Sequence, residues 1–289
     1  MSEPKESWAR WLTTERFGGN ESVARTWLAG LQQVSDRVLR SARLKNGDVF
    51  LDVGCGDGLL GFGALSLVGP DGRVIFSDQS TELIDVCRRV ATESGVADRC
   101  NFIRCDACTL DSVADNSVDA IGTRSVLMYL PDRVRAFGAF HRVLKTGGGI
   151  SLFEPINAFG FAGSPDLDRG TDFSSVSDLR ERIVQYYNQI YSNDPTVNFD
   201  AADLFDAAEA AGFATIQVRA ELSGASAPPR NWDALVRTPP YPGLPPLAQV
   251  LATFAPEDRE RYERNIRPLV EKGGSGRFRM AAAYVTATK

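Results

Sequence analysis

The sequence of 289 residues predicts an α/β fold in which helices cover both faces of a mostly parallel β-sheet. Two observations carry this prediction. Between residues 48 and 155, short β-rich runs alternate with helical segments, and the first of these runs enters a loop with glycine at every second position. With 43% hydrophobic and 24% charged residues, the composition is that of an ordinary globular chain.

The first predicted elements follow from residue spacing and composition. Apolar residues recur at helical intervals in residues 21–42, so at least one helix precedes the sheet. Five β-rich runs then predict strands at residues 49–53, 73–77, 100–104, 118–123 and 149–153. The intervening helices are expected at residues 59–67, 80–94 and 132–144, the last one ended by Gly147, Gly148 and Gly149.

The pattern changes after the fifth strand. Helices are predicted at residues 179–191, 200–211 and 256–271, and two further strands at residues 214–220 and 278–286. We therefore expect one domain. It consists of an N-terminal helical segment (1–45), a ligand-binding core (46–155), two lid insertions (156–198 and 222–277) and the remaining core (199–221 and 278–289).

Charge and cysteine content narrow the classes of partner. With 32 basic and 37 acidic residues the net charge is −5, and no basic stripe indicates nucleic acid as a partner. No run reaches the roughly 18 apolar residues of a membrane helix, and the polar N-terminus resembles no secretory signal, so we expect a cytoplasmic protein. Cys100, Cys105 and Cys108 lack a second C-x-x-C pair or a nearby histidine, which favours reduced thiols and no metal.

The loop after the first strand is the strongest indication of a ligand site. Gly54, Gly56 and Gly58 allow bare backbone to approach a ligand, and the following helix offers unpaired N–H groups at its N-terminus. Asp52 places a negative charge beside this loop, which suits a cationic ligand and opposes a pyrophosphate. The spacing Gly56-x-Gly58-x-x-Gly61 also satisfies a dinucleotide fingerprint in a shifted register, although that match alone is weak.

Polar residues also follow the next strands, and the carboxyl ends of parallel strands share one edge of a sheet. Asp78 ends the second strand, where a carboxylate can accept hydrogen bonds from ribose hydroxyls, and Asp106 follows the third strand, within reach of an adenine amino group. The alternative for both residues is capping of a helix or turn. Arg124, after the fourth strand, is either a ligand contact or part of a structural ion pair.

These segments together resemble the class I S-adenosylmethionine-dependent methyltransferases. The resemblance is carried by Asp52-x-Gly54-Cys55-Gly56-x-Gly58, by Asp78 and Asp106, and by residues 141–148, His-Arg-Val-Leu-Lys-Thr-Gly-Gly. It implies a Rossmann-like sheet of seven strands with an antiparallel last strand, and S-adenosylmethionine as cofactor. It assigns the loop Gly54–Gly58 to the methionine part of the cofactor, Asp78 to the ribose, and Asp106 with Ala107 to the adenine. The full set of candidate cofactor-binding residues is Asp52, Gly54, Cys55, Gly56, Gly58, Asp78, Gln79, Asp106, Ala107 and Arg124. Gln79 and Thr146 depart from the family pattern, where an apolar residue and a proline are usual.

The resemblance further implies in-line methyl transfer, in which alignment of the acceptor matters more than a dedicated base. If a base is required, Glu154 is the candidate, with a pKa raised by partial burial, and Tyr129 is the second catalytic candidate. His141, the single histidine, lies late in the helix that leads into strand five. It should therefore sit at the opposite end of the sheet and serve a structural or surface role.

Acceptor choice is expected to depend on the insertions and the N-terminal segment, whose aromatic residues suit a small organic molecule of a biosynthetic pathway. The candidate substrate-binding residues are Trp8, Trp11, Phe17, Tyr186, Tyr187, Tyr191 and Trp232, with Tyr241 as a further member of the set. The alternative is that these aromatics only stabilise the added helices. Three other functions stay open: an S-adenosylmethionine-binding enzyme for cyclisation or rearrangement, an arsenic methyltransferase using the cysteines, and an NAD-type dehydrogenase. The sequence does not indicate the oligomeric state.

Overall fold

The computed structural model describes residues 11–16, 21–161, 167–168, 170–190, 199–226, 228–240, 244–274 and 277–289. The chain divides into two compact units. The sheet unit comprises residues 28–156, 199–221 and 282–289, and the helical unit comprises residues 1–27, 157–198 and 222–281.

A seven-stranded sheet forms the centre of the sheet unit. Its strands are β1 (Val49–Val53), β2 (Arg73–Asp78), β3 (Cys100–Arg104), β4 (Val118–Arg124), β5 (Leu144–Pro155), β8 (Thr215–Ser226) and β9 (Arg277–Thr288). Their order is β3-β2-β1-β4-β5-β9-β8. Strands β1 to β5 are parallel where they pair, and β9 pairs with β5 in the antiparallel direction. The predicted α/β class and the antiparallel last strand are therefore confirmed.

Two strand boundaries differ from the prediction by more than two residues. β5 begins at Leu144, which pairs with Val118 ahead of a register shift, so the glycines of residues 147–149 belong to an irregular strand and not to a separate loop. β8 continues to Ser226, beyond the predicted end at residue 220, and its last residues are exposed. A polar, exposed strand end lacks the apolar alternation from which strands are predicted.

Helices flank the sheet and their caps follow the sequence. The helices are α1 (Glu21–Ala42), α2 (Leu59–Leu67), α3 (Thr81–Glu93), α4 (Arg133–Val143) and α7 (Ala201–Ala210). Ser80 accepts a hydrogen bond from the N–H of Leu83 at the start of α3, and Asp132 caps α4 in the same way. These side chains satisfy donors that a helix leaves unpaired at its N-terminus.

The core of the sheet unit consists of apolar strand residues. Phe50, Leu51 and Ile121 have no solvent exposure because β1 and β4 lie at the centre of the sheet with helices on their faces. Such fully buried parallel strands explain the continuous apolar runs of the sequence. The carboxyl ends of β1, β2, β3 and β4 consequently share one edge of the sheet.

The helical unit has its own apolar core. It contains a short hairpin of β6 (Leu167–Asp168) and β7 (Thr171–Asp172), with helices α5 (Asn157–Phe161), α6 (Ser177–Ile190), α8 (Trp232–Arg237), α9 (Leu247–Leu251) and α10 (Pro256–Lys272). Ile183, Trp232, Phe254, Tyr262 and Ile266 are buried together in this core. Within the described ranges, no helix has the length and apolarity needed to cross a membrane.

Candidate functional site

The glycine loop between β1 and α2 has a backbone that only glycine adopts easily. Gly54, Gly56 and Gly58 have φ angles of +65°, +56° and +86°. At Gly54 a Cβ atom would stand 2.5 Å from Cγ2 of Val126, so a side chain here would collide with the chain after β4. The loop therefore exposes backbone at a position where side chains cannot be accommodated.

Asp52 lies beneath this loop and is only 1% exposed. Its Oδ2 accepts a hydrogen bond of 2.8 Å from the N–H of Gly61 in the first turn of α2, so the carboxylate also caps that helix. Burial raises the pKa of Asp52 to about 7, and the positive charge of Arg124 opposes that shift. The side chain lines a small cavity together with Gly54, Cys55, Leu59, Leu60 and Arg124.

Asp78 joins the end of β2 to the glycine loop. Its Oδ2 accepts a 3.0 Å hydrogen bond from the N–H of Gly56, and its Oδ1 accepts a 2.9 Å bond from the N–H of Ser80. Burial raises the pKa of this carboxyl, while the hydrogen bonds from the N–H groups of Ser80, Gly56 and Gln79 lower it. A carboxylate has about four lone-pair sites, so acceptor capacity remains for a ligand hydroxyl.

The residues after β3 form a turn. Asp106 is exposed and its Oδ1 accepts a 2.8 Å hydrogen bond from the N–H of Cys108, whereas Ala107 is buried. Gln79 is exposed and its carbonyl oxygen accepts a hydrogen bond from Arg104. Asp106 therefore fulfils the alternative role of a turn cap, and a contact with adenine stays a prediction for Asp106, Ala107 and Gln79.

Glu154, at the end of β5, is fully buried and not partly buried as expected of a base. Its carboxylate accepts hydrogen bonds from three consecutive backbone N–H groups, those of Val126, Leu127 and Met128, at 2.9, 3.0 and 3.1 Å. Burial raises its pKa to about 7, and these three bonds lower it. Tyr129 is half-buried in the same turn, and its catalytic role stays a prediction.

Several of the aromatic side chains that were predicted to bind substrate make contacts within the helical unit. Trp232 is 5% exposed and lies against Tyr262, with 6.4 Å between ring centroids. Tyr187 donates a 3.0 Å hydrogen bond to the carbonyl oxygen of Pro245, and burial raises its pKa to about 12. Trp11 donates to the carbonyl oxygen of Pro239 at 3.1 Å.

For Trp232 in particular, burial favours the expected alternative of helix stabilisation over substrate contact. Tyr186 is half-buried beside Tyr187, with ring centroids 6.1 Å apart, and its contact with an acceptor stays a prediction. Trp8, Phe17, Tyr191 and Tyr241 lie outside the described residues.

The cysteines do not form a common ligand set. Cys100, Cys105 and Cys108 direct their thiols to three different acceptors, the carbonyl oxygen of Val96, the carboxylate of Asp111 and the carbonyl oxygen of Asp132. Across the described part of the chain, no three histidine, cysteine, aspartate or glutamate residues are grouped for a metal ion. This arrangement gives no support to thiolate binding of arsenite.

His141 lies in the last turn of α4, immediately ahead of the first residue of β5. Its ring packs edge-on against Phe213 at 5.3 Å between centroids, and burial lowers its pKa. The predicted position at the opposite end of the sheet from the carboxyl ends of the strands is confirmed, and a structural or surface role for His141 stays a prediction.

Two contributions to the site were missed from the sequence. Cys87 of α3 lies under the loop and donates a 3.4 Å hydrogen bond to the carbonyl oxygen of Gly56. Val126 contacts Gly54, and Ser125 just before it has a φ angle of +58°. Apolar spacing identified the helix that carries Cys87, but no local signal marks a helix residue that reaches a distant loop.

Comparisons with known proteins agree with this geometry. A family model described as a methyltransferase domain matches residues 44–165. The ubiquinone/menaquinone biosynthesis C-methyltransferase UbiE of Cellvibrio japonicus is 32% identical over 116 residues, which are 40% of this chain and 46% of that protein. The arsenite methyltransferase of Halobacterium salinarum is 31% identical over 148 residues, 49% of this chain and 37% of that protein. The chain thus matches less than half the length of these relatives.

Among solved structures, phosphoethanolamine N-methyltransferase 2 of Haemonchus contortus, determined with phosphomonomethylethanolamine and S-adenosylhomocysteine, has a TM-score of 0.57. The match covers 100% of this chain and 60% of the other chain, at 17% sequence identity. At this identity the likeness concerns the fold alone. The matched region of the present chain is a methyltransferase domain. This matched region is similar in sequence to methyltransferases, and the likeness covers residues 44–165 and not the whole chain.

Proposed function

We propose that the protein transfers a methyl group from S-adenosylmethionine to a small organic acceptor. The observation that carries this proposal is the glycine loop, where a Cβ on Gly54 would meet Val126 at 2.5 Å while Asp78 holds the N–H of Gly56. This arrangement keeps backbone exposed at the ends of β1 and β2, as a ligand lying across both strands requires.

The polar groups at these strand ends fit the cofactor chemically. Asp52 lines the cavity beside Gly54 and supplies a buried negative charge for a cationic group. Asp78 retains acceptor capacity for ribose hydroxyls, and we propose Asp106, Ala107 and Gln79 for the adenine side. When bound, the sulfonium supplies an activated methyl group that a nucleophile can displace in line.

This chain's residues would then contribute by binding and orientation. Asp52, with its pKa near 7, can become fully ionised when a positive charge is placed beside it. Arg124 faces Asp52 and offsets part of its charge in the absence of such a ligand. Alignment of reacting groups is the larger part of catalysis in such a displacement, so a dedicated base is not required.

The acceptor is proposed to be a small metabolite. The names of the two sequence relatives refer to ubiquinone or menaquinone biosynthesis and to arsenite, which are both small molecules. The net charge of −5 disfavours nucleic acid. We propose that Trp11 and Tyr186 of the helical unit contribute to acceptor choice, and that the protein acts in the cytosol.

Methyl-labelled S-adenosylmethionine and a metabolite extract test this proposal. The purified protein should transfer label to an acceptor that gains the mass of one methylene group. Release of methylthioadenosine with no labelled acceptor would instead indicate cyclisation of the cofactor and contradict methyl transfer.

Two glycine variants provide the control for this experiment. Gly54→Ala should strongly reduce labelling at a cofactor concentration below saturation, because its side chain meets Val126. Gly95→Ala should retain it, since Gly95 has a similar φ angle of +68° but no atom within 4 Å of an added Cβ. Equal activity of the two variants would contradict the assigned site.

A further inference from the structure

The chain segment after β4 is held by a single carboxylate. Glu154 Oε1 accepts hydrogen bonds from the N–H groups of Val126 and Leu127, and Oε2 accepts one from Met128. The hydroxyl of Thr123 lies 3.4 Å from the same Oε1. We call residues 125–129 the β4-exit turn.

This turn adjoins the candidate cofactor site. The side chain of Val126 lies against Gly54, and Arg124, directly before the turn, lines the cavity with Asp52. Ser125 has a left-handed φ of +58°, which is costly for a residue with a Cβ atom. Such a conformation persists only where its surroundings hold it.

The same bonds are incompatible with a base that touches the acceptor. Glu154 has 0% exposure, and both of its oxygens face backbone donors of the turn. A general base must come within hydrogen-bond reach of the proton that it removes. Glu154 can meet that requirement only if the turn is displaced.

We propose that Glu154 is a positioning residue, whose carboxylate holds the β4-exit turn so that Val126 and Arg124 shape the cofactor cavity around Gly54. The inference rests on the proposed function, since it assumes that this cavity receives the cofactor. Glu154 acts through Val126 and Arg124, and it touches neither cofactor nor acceptor.

Binding of S-adenosylhomocysteine, measured by calorimetry, tests the inference without knowledge of the acceptor. Glu154→Gln keeps one carbonyl oxygen for the turn but directs an NH₂ group at a backbone donor. Loss of a hydrogen bond to a charged group weakens an interaction by about 10-fold or more, so we expect a dissociation constant raised by about 10-fold. Ser151→Ala is the matched control, because it removes a buried β5 side-chain bond that goes to Val38 instead.

A double-mutant cycle separates positioning from general destabilisation. Val126→Ala removes the contact with Gly54 and leaves the carboxylate intact, so it should weaken binding by about 3-fold. If Glu154 acts through Val126, the double variant should bind better than the product of the two single effects predicts. Strictly multiplicative effects, or a Glu154→Gln protein that binds as the Ser151→Ala protein does, would overturn the inference.

Amide hydrogen exchange at residues 126–128 gives a readout that is independent of any ligand. Exchange there should accelerate in Glu154→Gln and stay unchanged in Ser151→Ala. Failure of the wild-type protein to bind S-adenosylhomocysteine would overturn the proposed function, while unchanged exchange in Glu154→Gln would overturn the positioning role. If Glu154→Gln does not fold, the affinity of Val126→Ala for S-adenosylhomocysteine becomes the test. An undiminished affinity in Val126→Ala would contradict the role of the turn.

Discussion

The end of the parallel sheet is held together by buried carboxylates, whereas the core of the helical unit is held together by apolar contacts. At the sheet, the carboxylates of Asp52, Asp78 and Glu154 are buried or half-buried and bond to backbone N–H groups of neighbouring loops and helices. In the helical unit, Trp232 and Tyr262 lie against each other in an apolar cluster. The first region fixes backbone at the proposed cofactor site, whereas the described contacts of the second lie within its own apolar core.

Truncation of Trp232 should give the largest effect and should separate the two regions. Trp232→Ala removes a buried indole and should lower the free energy of unfolding by about 3–5 kcal/mol, measured by urea denaturation. The folded protein should still bind S-adenosylhomocysteine within about 2-fold of the wild-type affinity. Leu222→Ala, at a side chain that is 65% exposed, is the control and should change stability little. Loss of S-adenosylhomocysteine binding in Trp232→Ala would contradict the separation of the two regions.

Substitution of Gly54 should act mainly on the ligand site. Gly54→Ala combines a positive φ of +65° with a 2.5 Å approach to Val126, and together these cost about 3 kcal/mol. We expect the affinity for S-adenosylhomocysteine to fall by about 100-fold, measured by calorimetry on folded protein. Gly95→Ala carries similar backbone strain in open space and should bind normally. Comparable losses in both variants would show that strain alone, and not the loop, explains the effect.

The Asp78 carboxylate permits a sharper test, because Asp119 makes a similar bond at the other end of β1. Asp78→Asn should weaken S-adenosylhomocysteine binding by about 10-fold, since one oxygen that accepts from Gly56 or Ser80 becomes a donor. Asp119 accepts a 2.8 Å bond from the N–H of Val49, so Asp119→Asn should lower thermal stability without this loss of binding. The reverse ranking of the two affinities would refute the assignment of Asp78.

Much of this contrast could be predicted from the sequence, because the signals for it lie within short stretches of the chain. The glycine loop, Asp52 and Asp78 follow apolar runs that can only be central strands, so their common edge followed from the topology of parallel sheets. Glu154 was placed at the correct strand end but given the wrong environment, because its three donors come from residues 126–128, distant in sequence. The same limit applies to Trp232, whose burial depends on helices far apart along the chain.

The smallest expected effect concerns pH. The pKa of Asp52 lies near 7 in the folded protein, above the value of 3.8 for a free carboxyl, so the folded state binds this proton more tightly than the unfolded state. The resulting loss of stability is complete above pH 7 and disappears below about pH 4. Between about pH 6 and pH 7.5, the Asp52 contribution should lower the free energy of unfolding by about 1 kcal/mol.

Urea denaturation at several pH values checks this expectation. The wild-type protein should lose stability through that window relative to Asp52→Asn, in which position 52 no longer titrates. Parallel curves for the two proteins would mean that Asp52 keeps an ordinary pKa despite its burial.

Calorimetric titration of the wild-type protein with S-adenosylhomocysteine tests the central claim most directly. The glycine loop, with Asp52 and Asp78, should bind one molecule per chain, and a parallel titration of Gly54→Ala should show that binding weakened by about 100-fold. Absence of binding by the wild-type protein, or binding that Gly54→Ala leaves unchanged, would contradict the assignment of this loop as the cofactor site.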